Sequence, residues 1–159
     1  MKTINFIFTF IFLVFTNSSM AACSGNDDGD TSKPVITFNS PEQGATLLIG
    51  EAHMVHFDAD FEDNEMLASY KIDIHNNFDG HGHTRADDGR VPFAFNRSWE
   101  LPGQRNAHIH HHEIVIPDNA APGKYHFLVY CSDKAGNESI AVRDIVLALP
   151  DEEASREEE

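Results

Sequence analysis

"AHMVHFDADFEDNEMLASYKIDIH", residues Ala52 to His75, contains two runs in which apolar and polar side chains alternate. In the first, Val55, Phe57 and Ala59 fall on one side and His56, Asp58 and Asp60 on the other. In the second, Tyr70, Ile72 and Ile74 oppose Lys71, Asp73 and His75. A period of two belongs to a strand with one face against a core and the other toward water. No stretch of the chain carries a convincing helical period to set against it.

Outward from this pair, turn signals recur about every 10 to 20 residues between Pro34 and Leu149, with short β-rich runs between them. "PVITFNSP" precedes the pair and ends at Pro41; "FAFNRSWEL", "AHIHHHEIVI", "KYHFLVYCSD" and "SIAVRDIVLAL" follow it. About seven strands without helices predict an all-β fold, an antiparallel β-sandwich.

Two segments resemble known folds. "IPDNAAPGKYHF" resembles the corner between the fifth and sixth strands of immunoglobulin-like and fibronectin-like domains, which implies that Tyr125 is a corner tyrosine bonding back to the chain. "YCSDKAGNES" resembles the following hairpin of bacterial Ig-like modules, with its turn at Ala135-Gly136-Asn137. The resemblance implies an immunoglobulin/fibronectin-like sandwich in which Tyr125 and Trp99 are structural, and it carries no function.

With 159 residues the chain has room for one domain with a real core. Its start, "MKTINFIFTFIFLVFTNSSMAAC", has the basic, apolar and small-residue layout of a secretory signal, expected over residues 1–22. The apolar run from Phe6 to Phe15 falls short of the roughly 20 residues that span a bilayer. Met20-Ala21-Ala22-Cys23 resembles a bacterial lipobox, which implies a lipid on Cys23 and a protein anchored to the outer membrane of the cell envelope, with exposure at the cell surface as one option. Residues 23–33 then form a flexible acidic tether, residues 34–149 the sandwich, and residues 150–159 an acidic disordered tail. Cys131, in the β-rich "FLVYC", is expected to be a buried lone thiol.

The formal net charge of −15 excludes a nucleic-acid partner and leaves cations as the natural ones. Membrane contact is expected through the lipid alone. Much of this charge sits in the tether and tail, where it is solvated.

Ten histidines stand out, and most lie in two clusters. "DIHNNFDGHGHTR" carries His75, Asp79, His81 and His83, a carboxylate and three imidazoles on a glycine-permitted loop. "HIHHHE" places His108, His110 and His112 on one face of a strand, with His111 and Glu113 on the other. Imidazole and carboxylate are the ligands of zinc and copper sites, so the candidate metal ligands are His75, Asp79, His81, His83, His110 and His112. The two clusters form either one site or two. His53, His56 and His126 lie singly and are expected to be structural or merely exposed. The acidic runs Asp58-Asp60-Glu62-Asp63 and Asp87-Asp88-Gly89 match no known calcium hand and are expected to be turns.

The whole domain also resembles a group of uncharacterised bacterial Ig-like lipoproteins, defined by a domain of unknown function, through His75, Asn76, Phe78, Asp79, His81 and His83. That resemblance implies fold and location without activity. Catalytic signatures are weak: Ser69 and Ser98 lack a nucleophile elbow, and no glycine-rich loop precedes a helix. The leading expectation is a lipoprotein that binds zinc or copper for storage or for delivery to an outer-membrane importer. The alternatives are a non-catalytic interaction or adhesion module for protein or glycan, and a metalloenzyme or haem binder.

Overall fold

Alternation becomes layering in the computed structural model, which describes residues 29–50, 52–77 and 89–150. Eight strands run in chain order: β1 Val35–Ser40, β2 Thr46–Leu48, β3 Met54–Glu62, β4 Leu67–Asn76, β5 Phe95–Glu100, β6 Asn106–Val115, β7 Gly123–Asp133 and β8 Glu138–Ala148. They form a three-stranded sheet, β1-β3-β6, and a five-stranded sheet, β2-β8-β7-β4-β5. Every pairing between these strands is antiparallel except β2 with β8. The expected all-β sandwich is therefore found, and no helical element occurs among the described residues.

The strand that the sequence hid is β2. Three residues cannot display an alternation, and their pairing is supplied by β8, about a hundred positions away in the chain.

Between the sheets lie apolar residues of the alternating strands. Phe57 and Phe61 of β3, Ile72 and Ile74 of β4, and Phe127 and Val129 of β7 are all buried. Phe57 is the centre, stacked near-parallel to Tyr70 at 6.1 Å and to Phe127 at 6.1 Å. Full burial of one such ring contributes about 1.5–3 kcal/mol, so this strand is held from beneath whatever its outer face carries.

At the β6–β7 corner the Tyr125 hydroxyl donates to the Ala121 carbonyl at 2.8 Å and accepts from the Phe93 amide at 3.0 Å. It thereby joins the corner to the chain entering β5. Cys131 is buried in β7 with a free thiol, and burial, with the nearby charges of Asp63 and Asp133, pushes that thiol up to about 12.

The expected signal and Cys23 lie outside the described residues. So do Asp79, His81, His83, Asp87 and Asp88, and residues 151–159 of the tail. Of the expected tether, residues 29–33 are described, and Asp30 lies against the domain: its Oδ1 accepts from Asn64 Nδ2 at 3.0 Å and its carbonyl from Asn137 Nδ2 at 2.9 Å.

Candidate metal centre

The site begins with the register between β3 and β6. Asp58 stands opposite His110 and Asp60 opposite His108, while Phe57 faces His111. The register then slips: Val55 faces Ile114, so His56 alone stands against His112 and Glu113. This is a β-bulge, two residues opposed to one. It corrects the strict alternation expected for β6, because Glu113 is exposed rather than sharing the inner face of His111, and Ile114 takes the buried place.

The outer face of the three-stranded sheet therefore carries His56, Asp58 and Asp60 from β3, alongside His108, His110 and His112 from β6. His56, His110 and His112 converge, with one ring nitrogen of each lying within 4.8 Å of the others. His56 Nδ1 and His112 Nε2 are 3.1 Å apart, and the ring centroids are 4.7 Å for His56–His110, 4.9 Å for His56–His112 and 5.3 Å for His110–His112. Two nitrogens bound to one zinc at about 2.0–2.1 Å with tetrahedral angles would lie about 3.3–3.4 Å apart. The closest pair is within a few tenths of an ångström of that. All three rings are exposed, so a fourth position would be open to water or to a ligand from elsewhere.

One step along the same ladder, Asp58, Asp60 and His108 form a mixed group that could also hold an ion. His108 Nδ1 meets Asp60 Oδ1 at 2.8 Å, and its Nε2 lies 3.6 Å from Asp58 Oδ2. Asn39 of β1 donates to both carboxylates at 2.8 Å. The bonds from Asn39 and then His108 hold the Asp60 carboxyl below its ordinary range, and the bond to Asp60 raises His108. This corrects the expectation of a turn: Asp58, Asp60 and Glu62 lie in β3, and only Asp63 follows it. Because its donors are already bonded to one another, this group needs no ion to be satisfied.

His111 points the other way. Its ring lies 5.0 Å from Phe57 and 5.2 Å from Trp99, and desolvation lowers its pKa against the opposing pull of Glu113. Trp99 stacks on Tyr70 at 4.8 Å and donates to Glu113 Oε2 at 3.4 Å, while Arg97 pairs with the same oxygen at 2.7 Å. These contacts fix the bulged end of β6 from below and from the side.

His75, the one described member of the first cluster, does not share a face with the second. His75 ends β4 on the outer face of the five-stranded sheet, bonded to Asp73 Oδ1 at 2.8 Å, with the His126 ring edge-on at 5.6 Å. His126 in turn lies 3.3 Å from Asp144. Sheets in a sandwich pack about 10 Å apart, so His75 cannot ligate an ion held by His110 and His112 on the opposite outer surface. His110 and His112 do come together, and the third member is His56, against the expectation that this isolated histidine is structural or merely exposed. The available signal was its place on the polar face of an alternating strand. What was missing was which strand would lie beside it.

The model of one protein family, described as a domain of unknown function (DUF4625), matches residues 21–148. A search among curated proteins gives no match.

Proposed function

The chain belongs to the DUF4625 family, a kinship that names no activity, and from that premise we propose that it binds a divalent transition metal, zinc or copper, for storage or delivery. The observation that carries this reading is the convergence of His56, His110 and His112 on one exposed sheet face. Neutral imidazole suits zinc and copper, and a three-nitrogen set leaves a coordination position through which an ion can be passed on. None of the three rings belongs to the core, so the sandwich does not depend on the metal, as a structural zinc domain does. The net charge of −15 raises the local concentration of cations.

In this reading Cys23 carries a lipid that anchors the protein to the outer membrane, supported by the sequence Met20-Ala21-Ala22-Cys23. His75, Asp79, His81 and His83, clustered in the sequence, would supply a further donor set, of which His75 lies on the other sheet. An outer-membrane importer is the partner that delivery would require.

Calorimetric titration of metal-stripped protein with zinc and with copper tests the proposal. Binding tighter than about 10 μM is expected. It should weaken more than about 100-fold when His110 and His112 are both replaced by Ala, because even losing a supporting partner of a ligand costs 10–100-fold. Unchanged affinity in that variant would sink the triad as the site. Retention of that affinity in a variant with His75, His81 and His83 replaced by Ala is expected.

A further inference from the structure

At the other end of β3 a second group of ligands meets, of opposite character. Asp63 follows β3 directly, Asp133 ends β7, and Asp30 comes from the arm that leads into β1; one carboxylate oxygen of each lies within 4.8 Å of the others. Asp133 is buried, only 4% exposed. Seven residues of strand separate His56 from Asp63, roughly 20 Å, so this is not part of the histidine centre.

An acidic cluster alone means little, because exposed carboxylates are common and solvated. Here, however, Asp30 Oδ2 and Asp63 Oδ1 are themselves buried and have no hydrogen-bond partner among the described residues. Every other carboxylate oxygen of the three is engaged. Asp30 Oδ1 accepts from the Ser32 amide and Asn64 Nδ2, Asp63 Oδ2 accepts from the amides of Glu65 and Met66, and both oxygens of Asp133 accept from Asn137. These bonds thus orient three carboxylates and leave two buried oxygens without a partner among the described residues. Among the described residues no lysine, arginine or histidine forms an ion pair with any of the three. Buried carboxylate oxygens without a partner, in a cluster of three acids, are costly unless a cation lies among them.

We infer that Asp30, Asp63 and Asp133 form a calcium site that fastens the arm preceding β1 to the β3–β4 and β7–β8 turns. All-oxygen, anionic donors select a hard cation, and one oxygen of each acid is close enough to the others for a single ion to meet all three. Water completes the six to eight oxygens that calcium takes. The ion converts the first described residues of the chain from a swivel into a fixed strut, giving the domain a set orientation relative to whatever the arm is attached to.

Thermal unfolding of the full chain, stripped with chelator and then measured in 10 mM calcium chloride against sodium chloride of equal ionic strength, tests this. For a site of about 10⁻⁴–10⁻³ M affinity, calcium should raise the melting temperature by roughly 5–10 °C. Asp63→Asn should abolish the shift. Asp30→Asn, which touches only the arm and so leaves the core intact, should also abolish it. The variant with His110 and His112 replaced by Ala should keep it, which separates this site from the histidine centre. No calcium shift in the wild type, or an undiminished shift in both aspartate variants, would overturn the assignment.

Discussion

The two outer faces of the sandwich both carry histidines beside aspartates, yet among the described residues only one of them gathers three imidazoles. On the five-stranded sheet, β4 and β7 contribute one histidine each at this level, directly opposed, and each is already tied to a carboxylate: His75 to Asp73 and His126 to Asp144. On the three-stranded sheet, β6 contributes two histidines spaced by two, and β3 inserts a third beside them. Convergence on a flat sheet thus needs a spaced pair on one strand and a single residue across from it. Histidine content alone does not provide it.

The strongest way to break this comparison is at the residue across the strands. His56→Ala should weaken zinc binding about tenfold or more, whereas His126→Ala on the other face should leave it unchanged, both read by calorimetric titration. Equal losses in the two variants would mean that the ion is not held where the three rings meet.

A smaller effect concerns what lies under the histidine face. His111 Nε2 is buried without a hydrogen-bond partner, among Phe57, Tyr70 and Trp99. His111→Leu should stabilise the metal-free protein at pH 7 by about 1 kcal/mol, since an apolar group removes an unmet polar one. The pH dependence has a definite sign. Desolvation depresses the pKa of folded His111, with Arg97, His110 and His112 acting in the same direction and Glu113 against. Its share of stability is therefore present above the unfolded value of about 6.5 and lost as pH falls through the lower folded value. Chemical denaturation of chelator-treated protein at pH 7 and pH 5 should show a smaller loss on acidification in His111→Leu than in the wild type.

The smallest effect is expected from Arg97→Ala. The Arg97–Glu113 pair is about half exposed and Arg97 also lies over the Trp99 ring at 4.9 Å, so removing it should cost less than about 1 kcal/mol. A larger loss would mean that Arg97 holds the bulge itself and not only its rim.

What the sequence could show followed the local period. Val55, Phe57 and Ala59, and Tyr70, Ile72 and Ile74, declared their faces because alternation is written in consecutive residues, and all six are buried. His110 and His112 were legible for the same reason. His56 was not, because its neighbours are fixed by a register between strands some fifty positions apart, and neither strand encodes that register by itself. The place of Glu113 was lost to a bulge that adds one residue without a glycine or proline to mark it. Asp30, Asp63 and Asp133 come from three distant segments and share no motif at all.

The bulge at His112 and Glu113 also decides how this surface can change over generations. The three imidazoles lie outside the packed interior, so exchanging one for cysteine, aspartate or methionine alters the donor set at little cost to folding. Adding or deleting one residue in the same stretch is different in kind, because it redistributes which side chains the interior receives. Point substitution can therefore retune the chemistry of the face, whereas a change in the length of β6 would disturb the interior.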